Sequence, residues 1–203
     1  LHTLRLNLVA TKLKELEVKT VLDLGCGEGK LLRRLLADRA FERIIGMDVS
    51  HRSLEAASAK LRLDRLPDRQ RKRIELIHGS LVYRDKRLNG FDGAALVEVI
   101  EHLDKARLLA LERVLFEFTR PRHILITTPN REYNVLFPTL PAGTMRHSDH
   151  RFEWTRKELA EWAEAIGARY NYEVRFEPVG PVDPEHGSPS QMAIFSLPTG
   201  GGQ

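Results

Sequence analysis

The sequence predicts an α/β protein built on a mostly parallel sheet with helices on both faces. Short apolar runs typical of buried strands alternate along the chain with segments whose apolar residues recur at helical spacing. A glycine-rich turn follows the first of these runs, an arrangement typical of a nucleotide-binding strand, turn and helix. At 203 residues, the chain is long enough for one well-buried domain.

The composition is ordinary for a soluble globular protein, with 42% hydrophobic and 30% charged residues. No apolar run approaches the ~20 residues of a membrane span, and no signal-peptide pattern is present, so we expect no membrane association. The single cysteine, Cys26, excludes an internal disulfide and favours the reducing cytoplasm. A net charge of +4 permits a nucleic-acid partner without requiring one.

The sequence contains no internal repeats and no linker that divides it, so residues 1–198 are expected to form one domain. The glycine-rich residues 199–203 are expected to form a disordered tail. Leu1 is not an initiator methionine, and we therefore expect the sequence to be a piece of a longer protein.

The first elements are predicted to be a helix, a strand, a turn and a second helix. Apolar residues recur at helical spacing over residues 4–16, which predicts an amphipathic helix of about four turns. Residues 20–24 have the apolar character of a central strand. A glycine turn over residues 25–30 then leads into a helix over residues 31–36.

The glycine spacing indicates which nucleotide the turn fits. A dinucleotide fingerprint needs its third glycine where Lys30 stands, which disfavours a nicotinamide enzyme. Asp23, Gly25 and Gly27 instead resemble motif I of class I methyltransferases, whose cofactor is S-adenosylmethionine. The glycines would let the methionine part of the cofactor lie against the backbone, with Asp23 near its ammonium group. A turn with only a packing role is the alternative.

The second strand, residues 44–48, ends in a carboxylate. Asp48 lies at the distance beyond the glycine turn that suits a ribose-binding acid, so we expect it to accept hydrogen bonds from the ribose hydroxyls of the cofactor. Ser50 is the predicted N-cap of a helix over residues 51–61. The basic cluster in residues 62–73 precedes the third strand and is interpreted as a solvated connection rather than an RNA contact.

The third strand, residues 74–77, is followed by two further cofactor candidates. Ser80 and Leu81 come just after this strand, at the edge of the sheet where ligands collect. In methyltransferases this position contacts the adenine through a short polar side chain and backbone amides. Ser80 and Leu81 are therefore predicted to bind the cofactor.

The fourth strand ends in two carboxylates and an imidazole. Residues 94–102 read Ala-Ala-Leu-Val-Glu-Val-Ile-Glu-His, so Glu98, Glu101 and His102 stand at relative positions 0, 3 and 4. If the chain turns helical there, the three side chains project from one face. This spacing is typical of metal ligands, and a capping turn with an ion pair is the alternative.

The second half of the chain supplies the remaining elements. A helix is predicted over residues 108–118 and a fifth strand over residues 122–128, stopped by Pro129. The connection over residues 130–155 is unusually long and keeps large apolar side chains, which argues for an ordered, functional loop. Its aromatic residues are candidates for stacking on a base, although core packing is favoured for each; they are Tyr133, Phe137 and Trp154.

The closing elements are a capped helix and two strands. Thr155 and Glu158 form a predicted capping box for a helix ending at Gly167. Residues 172–176 alternate as a strand should, and residues 192–197 form the last strand, which is expected to be antiparallel. The predicted sheet therefore has seven strands.

Four motifs occur in a fixed order, and they are Glu98-Val-Ile-Glu-His-Leu, Thr127-Thr-Pro-Asn, Tyr133-Asn-Val-Leu-Phe and Arg146-His-Ser-Asp-His-Arg-Phe-Glu-Trp-Thr-Arg. Together they resemble the HUA-enhancer family of RNA 3′-terminal ribose 2′-O-methyltransferases. The resemblance runs from about residue 5 to about residue 197, and Ser80-Leu-Val-Tyr-Arg-Asp is close to the bacterial form of the family. Several motifs in order are more specific than any one alone.

The resemblance implies a fold, a metal and partners. The fold would be that of class I S-adenosylmethionine-dependent methyltransferases, a seven-stranded, mostly parallel sheet with a metal-site insertion after strand 5. The family implies a divalent metal held by Glu98, Glu101, His102 and His150. The carboxylate ligands favour Mg²⁺ or Mn²⁺, the ions expected here, whereas the two imidazoles leave Fe²⁺ and Co²⁺ as alternatives. The family also implies an RNA 3′ end with free 2′ and 3′ hydroxyls as substrate. Bacterial relatives also carry an additional amino-terminal half, associated with a polynucleotide kinase-phosphatase and an RNA ligase in repair, which this sequence lacks.

A mechanism follows from this ligand set. Four protein ligands leave two positions open on an octahedral ion, and a terminal ribose offers two vicinal hydroxyls. We hypothesise that the ion takes both, which would exclude internal riboses because their 3′ oxygen is esterified. Coordination would lower the pKa of the 2′-hydroxyl for attack on the sulfonium methyl, leaving S-adenosylhomocysteine.

Two other functions are consistent with parts of the sequence. A metal-independent methyltransferase for a small molecule would use Glu98 and His102 only as polar lining. An RNA-binding scaffold would keep the cofactor fold without catalysis, although the complete ligand set argues against it. His147 is predicted either to orient a phosphate or accept a proton, or to have a packing role.

Overall fold

The computed structural model describes residues 1–141 and 143–198, so the predicted tail over residues 199–203 lies outside the described residues. Its strands are β1 (Thr20–Leu24), β2 (Arg43–Asp48), β3 (Ile74–His78), β4 (Gly93–Val97), β5 (His123–Pro129), β6 (Glu173–Val179) and β7 (Ser190–Ser196). They form one sheet in the order β3-β2-β1-β4-β5-β7-β6. Strands β1 to β5 pair in parallel, whereas β7 runs antiparallel to β5 and β6. The predicted seven-stranded sheet with an antiparallel last strand is confirmed.

The α-helices are α1 (His2–Glu15), α2 (Lys30–Ala37), α3 (His51–Leu61), α4 (Asp68–Arg71), α5 (Lys105–Glu112) and α6 (Arg156–Tyr170). Short 3₁₀ turns span Lys86–Leu88, Ile100–His102 and Arg131–Leu136. The helix predicted over residues 108–118 is divided, because α5 ends at Glu112 and a wider π-helical segment continues over Arg113–Thr119. That segment buries three consecutive side chains, Val114, Leu115 and Phe116.

The sheet carries helices on both faces, as predicted. Helices α1, α2 and α3 bury their apolar stripes on one face, through residues such as Val9, Leu32 and Leu54. The π-helical segment, α5 and α6 cover the other face, with Phe116 and Ala163 among the buried residues. Every residue of β5 and β7 is buried, because these strands lie inside the sheet with apolar layers on both sides.

Local signals predicted most helix ends. The Ser50 side chain accepts a hydrogen bond from the Ser53 amide at 3.1 Å, which confirms the predicted N-cap of α3. The capping box of Thr155 and Glu158 at the start of α6 is also confirmed. The predicted end of this helix at Gly167 is wrong.

Helix α6 continues through Gly167 and ends at Tyr170, with Asn171 in the left-handed conformation at φ 60°. A Cβ atom on Gly167 would lie 2.7 Å from the Tyr172 carbonyl oxygen. Glycine is therefore required there by close approach of the chain to β6, and it does not mark the end of the helix.

The parallel strands place the polar ends of several strands at one edge of the sheet. Because β1 to β4 run in parallel, the glycine turn, Asp48, Ser80 and Glu98 all follow strands at the same edge. This edge is where ligands bind in open α/β sheets. The basic residues before β3 lie at the opposite edge, and Arg73 among them donates hydrogen bonds to the carbonyls of Leu36, Asp38 and Phe41. Within the described part of the chain, no helix combines the length and apolar character that a membrane crossing requires.

Candidate active site

A cavity of about 530 Å³ opens at the carboxyl edge of the sheet. Its lining combines four of the predicted cofactor residues with two of the predicted metal ligands, namely Gly25, Asp48, Ser80, Leu81, Glu98 and His102. Asp23 and Gly27 are not lining residues: Asp23 is buried near the end of β1, and the Gly27 amide donates to the Asp48 carboxylate. The structure therefore brings parts of the two predicted sites to a single cavity, whose lining does not include Glu101 or His150.

The glycine turn has a backbone conformation that other residues rarely adopt. Gly25 and Gly27 have φ values of +81° and +51°. The amide of Gly25 donates to the Met47 carbonyl at 2.8 Å, which ties the turn to the end of β2. A Cβ atom on Gly25 would lie 2.7 Å from Cγ2 of Val99, whereas one on Gly27 would meet nothing within 4 Å.

The two glycines provide a test of this close approach. We expect Gly25→Ala to lower the free energy of unfolding by more than Gly27→Ala, because both variants carry the left-handed strain of about 1–2 kcal/mol but only the first also displaces Val99. Denaturant unfolding of the two variants beside the wild type measures the difference. Equal losses would contradict the proposed crowding between Gly25 and Val99.

Two carboxylates lie near the ends of β1 and β2, beside the glycine turn. Asp48 accepts hydrogen bonds from the Gly27 and Ser50 amides, each at 2.8 Å, so its carboxylate is fixed in place. Asp23 is 2% exposed, and its Oδ2 has no hydrogen-bond partner. Burial, together with the nearby Asp48, raises the pKa of Asp23 to about 7. An unpartnered buried carboxylate oxygen suits a cationic ligand group, so the residues fit the ammonium of the predicted cofactor.

The rest of the cavity wall mixes small polar and apolar groups. Ser80 accepts a hydrogen bond from the Val82 amide at 3.5 Å, and Leu81 packs partly against the core. Two apolar lining residues are largely exposed, Val49 at 62% and Tyr83 at 73%. Exposed apolar groups that line a cavity suit the face of a purine ring, and the sequence did not predict either residue.

Three of the four predicted metal ligands lie together. One ligand atom from each of Glu101, His102 and His150 lies within 4.8 Å of the other two. Glu101 is fully buried, and its Oε2 accepts a hydrogen bond from the Thr128 hydroxyl at 3.1 Å. The other oxygen, Oε1, has no partner. These residues are here named the Glu-His cluster.

The Glu-His cluster has the chemistry of a cation site. Burial, and then the nearby Glu98, raises the pKa of Glu101 to about 8. A divalent cation would reverse this effect by favouring the ionised carboxylate, and it would supply a partner for the orphaned Oε1. One carboxylate and two imidazoles are a ligand set that Mn²⁺ and related ions accept, so these residues fit a divalent metal.

The fourth predicted ligand, Glu98, lies outside the Glu-His cluster. Its Oε2 forms an ion pair with Nη2 of Arg5 at 3.0 Å, and its Oε1 accepts a hydrogen bond from the Thr127 hydroxyl at 3.1 Å. Burial raises the pKa of Glu98, while the Arg5 guanidinium opposes that shift. Glu98 nevertheless lines the same cavity as His102.

The expectation that Glu98, Glu101 and His102 share one helical face is wrong. Glu98 has a left-handed backbone with φ 56°, and its amide donates to the Thr127 carbonyl at 3.0 Å. The 3₁₀ turn begins only at Ile100, so Glu98 belongs to the end of the sheet and not to the turn. A residue other than glycine rarely adopts a positive φ, and this conformation costs energy. Backbone strain of this kind is common at functional sites.

The insertion between β5 and α6 brings His150 to the Glu-His cluster. Its backbone is tied to the 3₁₀ turn that carries Glu101, because the Arg151 amide donates to the Glu101 carbonyl at 2.7 Å. At its two ends, Asn130 and Trp154 form a β-bridge. The loop was predicted to be ordered, and these contacts give it a defined conformation over the described residues of the insertion.

The aromatic residues of the insertion pack mainly with one another. Trp154 stacks on Phe152 with ring centroids 4.3 Å apart and contacts Trp162 of α6 at 5.2 Å. Tyr133 and Phe137 form an edge contact at 5.6 Å. Core packing is the role that the structure gives Trp154.

Sequence reasoning missed several residues that shape the site. Arg5 falls on the buried stripe of α1 together with Leu6, Val9 and Leu13, and a charged residue on an apolar stripe was the available signal. Thr127 and Thr128 hold Glu98 and Glu101 through their hydroxyls. The two threonines lie on β5, and the two glutamates follow its neighbour β4. This contact joins distant parts of the chain, so no local pattern reveals it.

Comparison with known proteins supplies the family. Residues 3–173 match a family model described as a methyltransferase domain. The chain is 39% identical over 188 residues to the "Small RNA 2'-O-methyltransferase" of Mus musculus, which covers 89% of this chain and 47% of that protein. The chain thus spans about half the length of that curated relative.

Solved structures agree with this match. A structure described as the methyltransferase domain of bacterial CtHen1-CN superposes with a TM-score of 0.89 at 53% identity, covering 97% of this chain and 99% of that one. A structure described as small RNA methyltransferase HEN1 superposes with a TM-score of 0.87 at 30% identity, covering 100% of this chain and 26% of that one. The predicted class I methyltransferase fold is confirmed.

Proposed function

This chain belongs to the family of Hen1 methyltransferase domains, and from that premise we propose that it transfers a methyl group from S-adenosylmethionine to a ribose 2′-hydroxyl of RNA. The names of its relatives support the reaction and the class of substrate. The observation that carries the proposal in this chain is the cavity itself, which joins the glycine turn and Asp48 to Glu98 and His102. A methyl donor and a reacting hydroxyl would then meet in one cavity.

The cofactor would be held by the glycine turn and the strand ends around it. Gly25 lines the cavity without a side chain, which supports placing the methionine part beside its backbone, and the unpartnered Oδ2 of Asp23 supports the placement of its ammonium nearby. Asp48 has lone pairs left for the ribose hydroxyls after accepting the Gly27 and Ser50 amides. The exposed apolar groups near Ser80 and Leu81 would face the adenine.

A divalent cation is the second proposed component. Glu101, His102 and His150 would hold it, and Glu98 would complete the set by turning from Arg5 toward the Glu-His cluster. When bound, Mg²⁺ or Mn²⁺ would act as a Lewis acid that makes a ribose hydroxyl more acidic. The chain's own residues would position the hydroxyl beside the methyl donor.

The finer proposal concerns which ribose reacts. Selection of the 3′-terminal ribose follows if the cation requires both vicinal hydroxyls, since only the last nucleotide of RNA has a free 3′-hydroxyl. His147 is exposed, and its ring lies 5.0 Å from that of His150 in the Glu-His cluster. It is a candidate for contact with a phosphate of the terminal nucleotides.

A single assay tests the proposed activity. Radiolabelled methyl transfer to a short RNA should occur with Mn²⁺ or Mg²⁺ present, stop when a chelator is added, and resume when the ion is restored. Transfer that is insensitive to the chelator would favour the metal-independent alternative. No transfer with any ion, despite cofactor binding, would favour an RNA-binding scaffold.

Asp48 gives a prediction for the cofactor alone. We expect Asp48→Ala to weaken the binding of S-adenosylhomocysteine by roughly 1–3 kcal/mol, through the loss of charge-assisted hydrogen bonds to the ribose. Calorimetric titration measures the dissociation constant. Because Asp48 also accepts the Gly27 and Ser50 amides, Asp48→Asn serves as the control that retains one acceptor oxygen. An unchanged dissociation constant in Asp48→Ala would refute the ribose contact.

We further propose that the longer protein containing this chain works in RNA repair with a polynucleotide kinase-phosphatase and an RNA ligase. The support is the resemblance to bacterial members of the family and the 53% identity to a bacterial Hen1 domain. Co-purification of the full-length protein with those enzymes would test the association.

A further inference from the structure

We propose that Glu153 is a positioning residue for His150, which holds the imidazole in one tautomer and turns its Nε2 toward the cation. This inference rests on the proposed function, because the cation belongs to that proposal. It adds a residue that the sequence patterns did not single out, and it gives the insertion a defined role. The role of Glu153 is to support the ligand and not to contact the ion.

The geometry of the Glu153 carboxylate carries the inference. Its Oε1 lies 2.6 Å from Nδ1 of His150, and both side chains are almost completely buried. A carboxylate can only accept at this contact, so the neutral imidazole must carry its proton on Nδ1. The Nε2 atom is then the nitrogen that remains free to bind a metal. Metal-binding histidines are commonly oriented by a carboxylate in this manner.

Other hydrogen bonds fix Glu153 itself. The Arg146 amide donates to Oε1 at 2.7 Å, and the Asn134 side-chain amide donates to Oε2 at 2.6 Å. Both oxygens of this buried carboxylate therefore accept hydrogen bonds from amide N–H groups that can only donate.

Arg146 and Asn134 link this contact to the rest of the insertion. The Arg146 Nε atom donates to the Asn134 side-chain oxygen at 2.7 Å, and its Nη2 atom donates to the Asn130 carbonyl at 2.6 Å. Asn130 follows β5 directly. A continuous set of hydrogen bonds thus runs from the end of the sheet to His150, which explains how a long insertion can present a ligand with fixed orientation.

The second imidazole of the Glu-His cluster provides a contrast within the same molecule. Nδ1 of His102 lies 3.2 Å from a carboxylate oxygen of Asp149, but the side chains are 39% and 69% exposed. A solvated contact of this kind contributes little, because water can replace the carboxylate. Asp149→Asn is therefore the control for Glu153→Gln. It removes a negative charge near the proposed cation site but no buried contact that orients an imidazole.

The primary experiment measures metal affinity without RNA. Calorimetric titration of Mn²⁺ into the chain saturated with S-adenosylhomocysteine should give a dissociation constant about 10–100-fold higher for Glu153→Gln than for the wild type. For Asp149→Asn the change should be less than about fivefold. Methyl transfer by Glu153→Gln should recover as the Mn²⁺ concentration rises, which a simple loss of structure would not permit. Equal Mn²⁺ affinity in Glu153→Gln and the wild type would overturn the proposal, as would equal losses in the two variants.

A second measurement does not depend on any metal. Nitrogen NMR of the ¹⁵N-histidine-labelled wild type should show His150 as the Nδ1–H tautomer, with the signal assigned by comparison with His150→Gln. An Nε2–H tautomer would overturn the proposal, even if Glu153→Gln failed to fold. The NMR measurement needs neither Mn²⁺ nor RNA, so the two proposals can fail separately. A chain that bound no metal would refute the proposed function, and the tautomer of His150 would still test the role of Glu153.

Discussion

Replacing either Glu101 or His150 by alanine is expected to lower methyl transfer to RNA by at least about a hundredfold while leaving S-adenosylhomocysteine bound. Both residues belong to the Glu-His cluster, whose ligand atoms lie within 4.8 Å of one another. A Lewis acid contributes several kcal/mol to a reaction of this type, and each 1.36 kcal/mol changes the rate tenfold. Neither Glu101 nor His150 lines the cavity in which the cofactor is proposed to lie.

The measurement compares initial rates of methyl transfer at saturating RNA and Mn²⁺ with calorimetric titration of S-adenosylhomocysteine. His186→Ala is a matched control, because that imidazole also contacts a carboxylate, Asp183 at 3.0 Å, but is not part of the Glu-His cluster. We expect this control to retain activity. Wild-type rates in Glu101→Ala and His150→Ala would remove the metal from the mechanism, and loss of cofactor binding in them would point to a general structural role.

Glu98 extends this prediction. We expect Glu98→Ala to lose activity to a similar degree, because its carboxylate lines the cavity beside His102. In the structure the Glu98 carboxylate is paired with the Arg5 guanidinium. To bind the proposed divalent metal, Glu98 would have to leave Arg5. Full activity in Glu98→Ala would show that the three residues of the Glu-His cluster suffice without it.

RNA that ends in a 3′-phosphate is expected to be methylated at least about a hundredfold more slowly than the same RNA with a 3′-hydroxyl. The expectation follows from the proposed use of both vicinal hydroxyls, since the phosphate esterifies one of them and adds negative charge beside Glu98 and Glu101. The magnitude again corresponds to a few kcal/mol of lost cation interaction.

Three matched RNAs separate chelation from charge. Each has the same sequence and ends in a 3′-hydroxyl, a 3′-phosphate or a 3′-deoxyribose with its 2′-hydroxyl intact. Only the first should react well. Slow reaction of the phosphate but rapid reaction of the 3′-deoxy RNA would mean that charge repulsion selects the terminus, and equal rates for all three would refute selection for the 3′ end.

The alternation of strand and helix patterns was sufficient to predict the sheet. Apolar runs identify buried strands because both faces of a parallel sheet are covered, and β1 to β5 each occur where such a run was recognised. Caps such as Ser50 and Thr155 were predicted for a similar reason, since an N-cap depends on residues within one turn of the helix start. Gly167 shows where local reasoning fails, because the contact that requires glycine there comes from a different element.

The sequence by itself determined the class of fold and the residue types of the candidate site, because strand periodicity, turn glycines and ordered motifs are local properties of the chain. It did not determine which side chains meet. Glu98 pairs with Arg5 from α1, and the insertion brings His150 beside Glu101. Only the tertiary structure decided these contacts, because they join residues distant along the chain, and the left-handed backbone at Glu98 redirected a side chain that its spacing alone had placed elsewhere.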